Sequence, residues 1–208
     1  MRFFEFLPFG SIPFLIFISL SVLGYKILSV PFLLLVVFLL WFFRDPERNP
    51  ENLSEYDVLS PADGKVIEIS NNNEGKKKIS IFMSPLDVHV NRSPVDALII
   101  STKFEKGSFL RAYEKNASTK NTKHIIVEKI SNGEEIILCQ VSGALARRII
   151  PWIKRGDTVK RGQRIGMIAF GSRVDVYLPH NFEIAVKEGQ KVKAGLSKIA
   201  EIPRDFQI

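Results

Sequence analysis

Cysteine and histidine are scarce in this chain, and their scarcity removes several chemistries at once. With Cys139 as the sole cysteine, no intramolecular disulfide can form, which fits a reducing compartment. Cys139 sits among Ile136, Ile137, Leu138 and Val141. That setting reads as an inert strand thiol, because free cysteine is among the most buried residue types. His89, His124 and His180 are scattered, so with one cysteine they make no metal site of usual ligand spacing. Charge is missing from a long stretch: between Phe6 and Phe43 the one charged residue is Lys26. The basic clusters Lys76-Lys77-Lys78, Arg147-Arg148 and Lys154-Arg155 contribute to a net charge of +7. They lack the interleaved aromatics that a nucleic-acid surface uses, which argues against a nucleic-acid partner. Attraction to anionic lipid headgroups is the better reading of that charge.

What the first 43 residues do have is apolar length. Ile12 to Leu23 and Ile27 to Phe43 flank Gly24-Tyr25-Lys26, and the second run holds 17 residues. A spanning helix needs about 20 apolar residues, with a lower limit near 17. A cleaved signal peptide is disfavoured, since the stretch is too long and has no small-residue cleavage site. The expectation is a hydrophobic helical hairpin over 1–43 that anchors the chain at the cell membrane, spanning it or inserting without crossing. Arg2 and the Arg44/Arg48 pair lie at its two ends, which favours both ends, and the domain that follows, on the cytoplasmic side.

From residue 44 to 208 the composition is that of a domain with its own core. Short, largely β-branched runs are bounded by Gly, Pro and Asn: Val66–Ile69, Ile79–Met83, Val88–Val90, Leu98–Ile100, Ile125–Val127, Ile136–Val141, Ile165–Ile168 and Val174–Leu178. This spacing predicts a mostly β sandwich or barrel. Gly143 to Ile153 is the exception, expected as a short helix ending at Pro151. Ile153 to Gln163 resembles Val186 to Leu196, with the glycines of G-x-x-V-x-x-G recurring 33 residues apart. The pattern reads as two turns around a very short strand, with Gly supplying positive φ. It resembles the half-motif of biotinyl and lipoyl carrier domains, a flattened β-barrel. Where those carriers place a modified lysine on a hairpin tip, the same offset from Gly162 reaches Ser172.

Three segments carry candidate chemistry. They are Ser60-Pro61-Ala62-Asp63-Gly64-Lys65-Val66, then Met83-Ser84-Pro85-Leu86-Asp87-Val88-His89-Val90-Asn91-Arg92-Ser93-Pro94, then Phe170-Gly171-Ser172-Arg173-Val174-Asp175-Val176-Tyr177. Each has a plain structural reading: a turn, a core histidine, a loop pair. Occurring jointly and in this order, after the hydrophobic leader and Phe43-Arg44-Asp45-Pro46, they resemble the phosphatidylserine decarboxylase proenzyme family. The likeness is to its short forms, whose cleavage site reads Gly-Ser-Arg.

The resemblance implies a self-cutting chain. Ser172 Oγ attacks the Gly171 carbonyl and turns the amide into an ester. β-Elimination and hydrolysis then release ammonia and leave a pyruvoyl group in place of Ser172. The products are a β-chain of 1–171 and an α-chain of 172–208, which stay associated. A serine hydroxyl needs a base to act as nucleophile, and Asp63 with His89 is the expected pair, the carboxylate orienting the imidazole. The pyruvoyl ketone would hold the substrate amine as a Schiff base and take up electrons as carbon dioxide leaves, the role pyridoxal phosphate plays elsewhere. The substrate is then a phospholipid, phosphatidylserine, converted to phosphatidylethanolamine. Arg92 is the candidate cation for its phosphate or carboxylate. Long forms of the family carry a second histidine where Arg92 stands, so here either His89 serves both steps or Asp63 acts as base with less help. Asn121-Thr122-Lys123-His124 departs from the Asn-Glu-Arg expected there, and His124 reads as structural, as does His180. The competing reading is a membrane-tethered carrier or adaptor without catalysis, against which stands the missing lysine at the hairpin tip. Association between copies of the chain stays open at this level.

Overall fold

The computed structural model describes residues 3–50, 54–71, 75–114, 116–144, 148–169 and 172–204. The chain divides into two units, 1–47 and 48–208. The first is a helix pair, α1 (Phe3–Val22) and α2 (Lys26–Phe42), turned at Gly24. Gly24 has φ +84°, and an added Cβ there would meet nothing within 4 Å, so conformation alone asks for glycine. Large apolar side chains remain exposed along both helices, among them Ile12, Leu15, Ile27 and Leu34. Among the described residues, no helix is long and apolar enough to cross a membrane.

The second unit is mostly β. Its strands are β1 (Asp57–Leu59), β2 (Gly64–Asn71), β3 (Lys77–Met83), β4 (Val90–Arg92), β5 (Ala97–Glu105), β6 (Lys123–Lys129) and β7 (Glu135–Val141). They continue with β8 (Arg148–Pro151), β9 (Thr158–Val159), β10 (Arg164–Ala169), β11 (Ser172–Leu178), β12 (Glu183–Ile184), β13 (Lys191–Val192) and β14 (Lys198–Glu201). A single turn of helix, α3 (Ala117–Lys120), interrupts the long β5–β6 connection. Eight strands form a sheet curled into a half-barrel, in the order β13-β2-β3-β11-β7-β6-β5-β9. Two three-stranded sheets accompany it, β1-β14-β12 and β4-β10-β8.

The alternation read from the sequence places alternate residues on opposite faces of the large sheet. Val174, Val176 and Leu178 of β11 join Ile79, Ile81 and Met83 of β3 and Ile136 and Leu138 of β7 in one core. Within that core Glu128 is wholly buried and accepts from Ser93 Oγ at 3.0 Å. Burial pushes its carboxyl up to about 8, so it is mostly protonated at neutral pH. The helix expected over 143–153 is not there: residues 148–151 form β8, paired with β10 from Arg148↔Ala169 to Pro151↔Gly166. Ile149 and Ile150 suit a pleated strand, and the partner strand that decides the matter lies outside the local window.

The 33-residue repeat is structural, and it is longer than the glycine pattern alone. Gly156, Gly162, Gly189 and Gly195 all have positive φ. They bracket β9 and β13, the two edge strands of the large sheet. Ser60-Pro61-Ala62-Asp63 and Ser93-Pro94-Val95-Asp96 repeat with the same offset. The hydrogen bonds repeat with them. Gly162 N donates to Ser93 O, and Gly195 N to Ser60 O, each at 2.8 Å. Arg161 N donates to Asp96 Oδ1 at 2.6 Å, and Ala194 N to Asp63 Oδ1 at 2.8 Å. The two repeats are therefore built alike from interleaved segments, Asp63 capping the turn at Ala194 and Asp96 the turn at Arg161.

Candidate active site

Ser172 opens β11, is fully buried, and lies opposite Met83 at the end of β3. Its Oγ donates to Met83 Sδ at 3.3 Å. A thioether is a weak acceptor, so this contact seats the hydroxyl without binding its proton strongly. Met83 Sδ also receives Asn91 Nδ2 at 3.6 Å. Asn91 Oδ1 accepts from Gln140 Nε2 at 2.8 Å, and Gln140 Oε1 accepts from His124 Nδ1 at 2.9 Å. A buried polar chain thus runs from Ser172 to His124 on the inner face of the sheet. Burial lowers the His124 pKa, partly offset by the Gln140 bond, and Phe104 stacks on its ring at 4.4 Å. His124 thus belongs to the buried polar chain that ends at Ser172.

His89 is tied by its backbone to the strand that precedes Ser172 in the chain. The β4 strand it precedes pairs with β10, and His89 O accepts from Ile168 N at 3.3 Å, four residues before Ser172. The ring is buried, with Nδ1 2.9 Å from Asp87 O. A carbonyl oxygen can only accept, so Nδ1 carries the hydrogen and the basic lone pair of the neutral ring is on Nε2. Gly171, the residue before the expected cut, lies outside the described residues.

Asp63 differs from the expectation. Its carboxylate is taken by Arg48, with Nη1 at 2.5 Å and Nη2 at 2.8 Å, and by Ala194 N. It makes no hydrogen bond to His89, whose ring is oriented by the Asp87 carbonyl instead. The local turn reaches the imidazole first, while Arg48 offers the carboxylate a planar two-pronged partner. Asp63 still borders the site: the next residue, Gly64, has φ +153°, and a Cβ there would stand 2.1 Å from Phe82 O. That close approach brings the start of β2 beside Met83. Arg92 is buried and donates from Nη1 to Gly162 O at 2.9 Å, so its guanidinium bonds the turn between β9 and β10.

Sequence reasoning passed over Arg173, although it stands in the quoted motif. It is buried on the opposite face from Ser172. Nε donates to Asp175 Oδ1 at 2.6 Å, and Nη2 to Glu68 Oε2 at 2.8 Å and Ser80 Oγ at 2.6 Å. Ser118 Oγ completes the group on Asp175 Oδ2 at 2.6 Å. The alternation Ser172-Arg173-Val174-Asp175 was the available signal: two charges on one face of a strand that is otherwise apolar. This network pins the first residues of β11 from behind. Burial, with Asp175 adding to it, pushes the Cys139 thiol up to about 12, so it stays an inert core group. His180 is exposed in a turn. Among the described residues, no group of three His, Cys, Asp or Glu could hold a metal ion.

The repeat supplies an internal control for the Arg48–Asp63 pair. Its side chains are 6% and 12% exposed, whereas Asp96, which stands in the repeat where Asp63 does, takes Lys160 from its own half in a pair that is 77% and 62% exposed. Arg48→Ala leaves a buried carboxylate with one backbone donor and is expected to cost about 3–5 kcal/mol. Lys160→Ala is expected to cost less than about 1 kcal/mol. Urea unfolding of both variants checks this; equal losses would mean that Arg48 contributes no more than a surface cation.

A model of the phosphatidylserine decarboxylase family matches residues 35–200. A phosphatidylserine decarboxylase proenzyme of Geotalea uraniireducens is 40% identical over 201 residues, covering 94% of each chain. One of Streptomyces avermitilis is 41% identical over 174 residues, 84% of this chain and 79% of the relative. One of Syntrophus aciditrophicus is 44% identical over 170 residues, 78% of this chain and 79% of the relative. A buried serine at the head of a doubly paired strand, a histidine backbone bonded to the preceding strand, and these matches agree: the chain belongs to the phosphatidylserine decarboxylase family.

Proposed function

We propose that this chain cuts itself between Gly171 and Ser172, carries a pyruvoyl group made from Ser172, and converts phosphatidylserine to phosphatidylethanolamine. The observation that carries the reading is Ser172 itself, buried and seated on a weak acceptor at the head of β11. His89 is the base that takes the Ser172 Oγ proton, through Nε2. Ser172 Oγ then attacks the Gly171 carbonyl and the Ser172 nitrogen leaves as an amine. Asp63 acts less directly than a triad carboxylate would: paired to Arg48, it holds the Gly64 approach beside Met83.

The residues present fit the cofactor, because its atoms come from Ser172, which is buried beside Met83. A pyruvoyl carbonyl supplies an electron sink for loss of carbon dioxide. The chain's own groups bind and orient: the buried site excludes water, Arg92 takes the anionic part of the headgroup, and His89 returns a proton to the carbon that loses its carboxylate. The 172–208 product would keep β11 between β3 and β7, β13 on β2 and β14 on β1, which holds the two chains together. We read the two lobes as related to biotinyl and lipoyl barrels, on the repeated positive-φ turns around β9 and β13. We place the chain at the cell membrane with the β domain on the cytoplasmic side. Residues 1–43 insert as an apolar hairpin that need not cross.

Phosphatidylserine in detergent micelles, offered to the purified full chain, tests the reading. Phosphatidylethanolamine should form, and borohydride should abolish the activity by reducing the carbonyl. Turnover that survives borohydride would point to another cofactor, and a chain that never splits would return the carrier reading to first place.

A further inference from the structure

Ser172 lies at one end of the large sheet, and that end has an unusual surface. The same end holds the finish of β3 and β5, the start of β6 and the finish of β7, as the registers Ser172↔Met83, Arg173↔Val141, Lys123↔Val141 and Glu105↔Lys123 require. Two loops project from it, 84–89 and 106–122. They and the strand end beside them expose Leu86 at 66%, Phe104 at 52%, Phe109 at 41% and Tyr113 at 54%. The Tyr113 ring meets Phe82 edge-on at 6.0 Å, and its hydroxyl accepts from Arg111 at 2.9 Å. Between Lys103 and Lys123 the sequence carries six cations against Glu105 and Glu114. Glu105 is already taken by Lys103 and Lys123.

We propose that this rim docks the β domain on an anionic phospholipid surface, with Phe109 and Tyr113 entering the interface and Lys106 and Arg111 meeting headgroups. The proposal rests on the decarboxylase reading and adds the surface through which the substrate arrives. A phospholipid headgroup stands only a short way outside the hydrocarbon, so a buried Ser172 reaches it only if its end of the sheet abuts the bilayer. Aromatic side chains favour the membrane–water boundary, where a ring is half dry and a hydroxyl stays wet. Each nearby cation adds attraction to an anionic leaflet. The rim combines both classes on the two loops nearest the reacting serine. Lys106, Phe109, Arg111 and Tyr113 lie outside the catalytic group.

The test uses the full chain, its Phe109→Ser/Tyr113→Ser double variant and its Lys106→Glu/Arg111→Glu double variant. Each is assayed on phosphatidylcholine vesicles containing phosphatidylserine and on short-chain phosphatidylserine dispersed as monomers. Self-cleavage is followed by gel as the measure of an intact fold. Both variants should cleave normally and keep turnover on the monomer. On vesicles the aromatic variant should lose at least about tenfold, the equivalent of one buried aromatic side chain. The charge variant should lose activity on vesicles in a way that added salt makes the wild type imitate. Unchanged vesicle turnover overturns the proposal; if the variants also change oligomeric state, the rim is a contact between copies of the chain. Equal losses on vesicle and monomer overturn it too, by assigning the loops to the reaction site. A wild-type chain inactive on both substrates sinks the decarboxylase reading instead.

Discussion

Ser172→Ala is expected to yield one uncleaved chain of 23.6 kDa, with decarboxylase activity reduced by more than about 10³-fold. The effect is large because one atom serves two purposes. Ser172 Oγ is the nucleophile that opens the Gly171 bond, and the serine skeleton is the source of the carbonyl. Alanine fits the buried position between Met83 and β7, since it removes one oxygen and adds nothing. The strand keeps its pairing with β3 and β7, and Arg173 keeps its bonds to Asp175, Glu68 and Ser80. The variant should therefore fold and remain whole, which separates loss of chemistry from loss of structure. Ser172→Thr should cleave slowly, because the hydroxyl stays while an added methyl must find space in a fully buried site. Intact-mass measurement decides: two fragments from Ser172→Ala would place the nucleophile elsewhere.

His89→Ala should slow self-cleavage by about 10²–10⁴-fold, the usual worth of a positioned general base. Uncleaved chain should accumulate, and the fraction that does cleave should turn over poorly, since the same imidazole returns a proton in the later step. Alanine also empties a buried volume, so His89→Gln is the better probe of chemistry. Glutamine can donate to Asp87 O as the imidazole does, yet has no titratable nitrogen. Both variants should therefore be slow, with glutamine the more stable of the two. Asp63→Asn should behave differently, weakening the Arg48 pair and the fold more than the cleavage step, because the carboxylate is not bonded to the imidazole. Time courses of cleavage, with turnover measured on the cleaved fraction, separate the three. Wild-type cleavage by His89→Gln would falsify the assignment of the base.

Much of this molecule is legible in its sequence. The apolar helix pair follows from uncharged length, the strands from short β-branched runs, and the turns around β9 and β13 from glycines at a fixed offset. Ser172 stands out by motif and by its distance from Gly162. These signals are carried along the chain, by neighbours or by a repeat. The sequence did not determine which partner a buried polar group takes, because that depends on pairings between distant strands. Arg48 meets Asp63 across 15 residues, Gln140 meets Asn91 across 49, Ser172 meets Met83 across 89 and Arg173 meets Glu68 across 105. Burial raises the cost of an unpaired charge or amide, so the tertiary structure settles these choices by what lies within reach. It gave Asp63 to Arg48, turned the His89 ring to a backbone carbonyl, and made residues 148–151 a strand because β10 was there to pair with it.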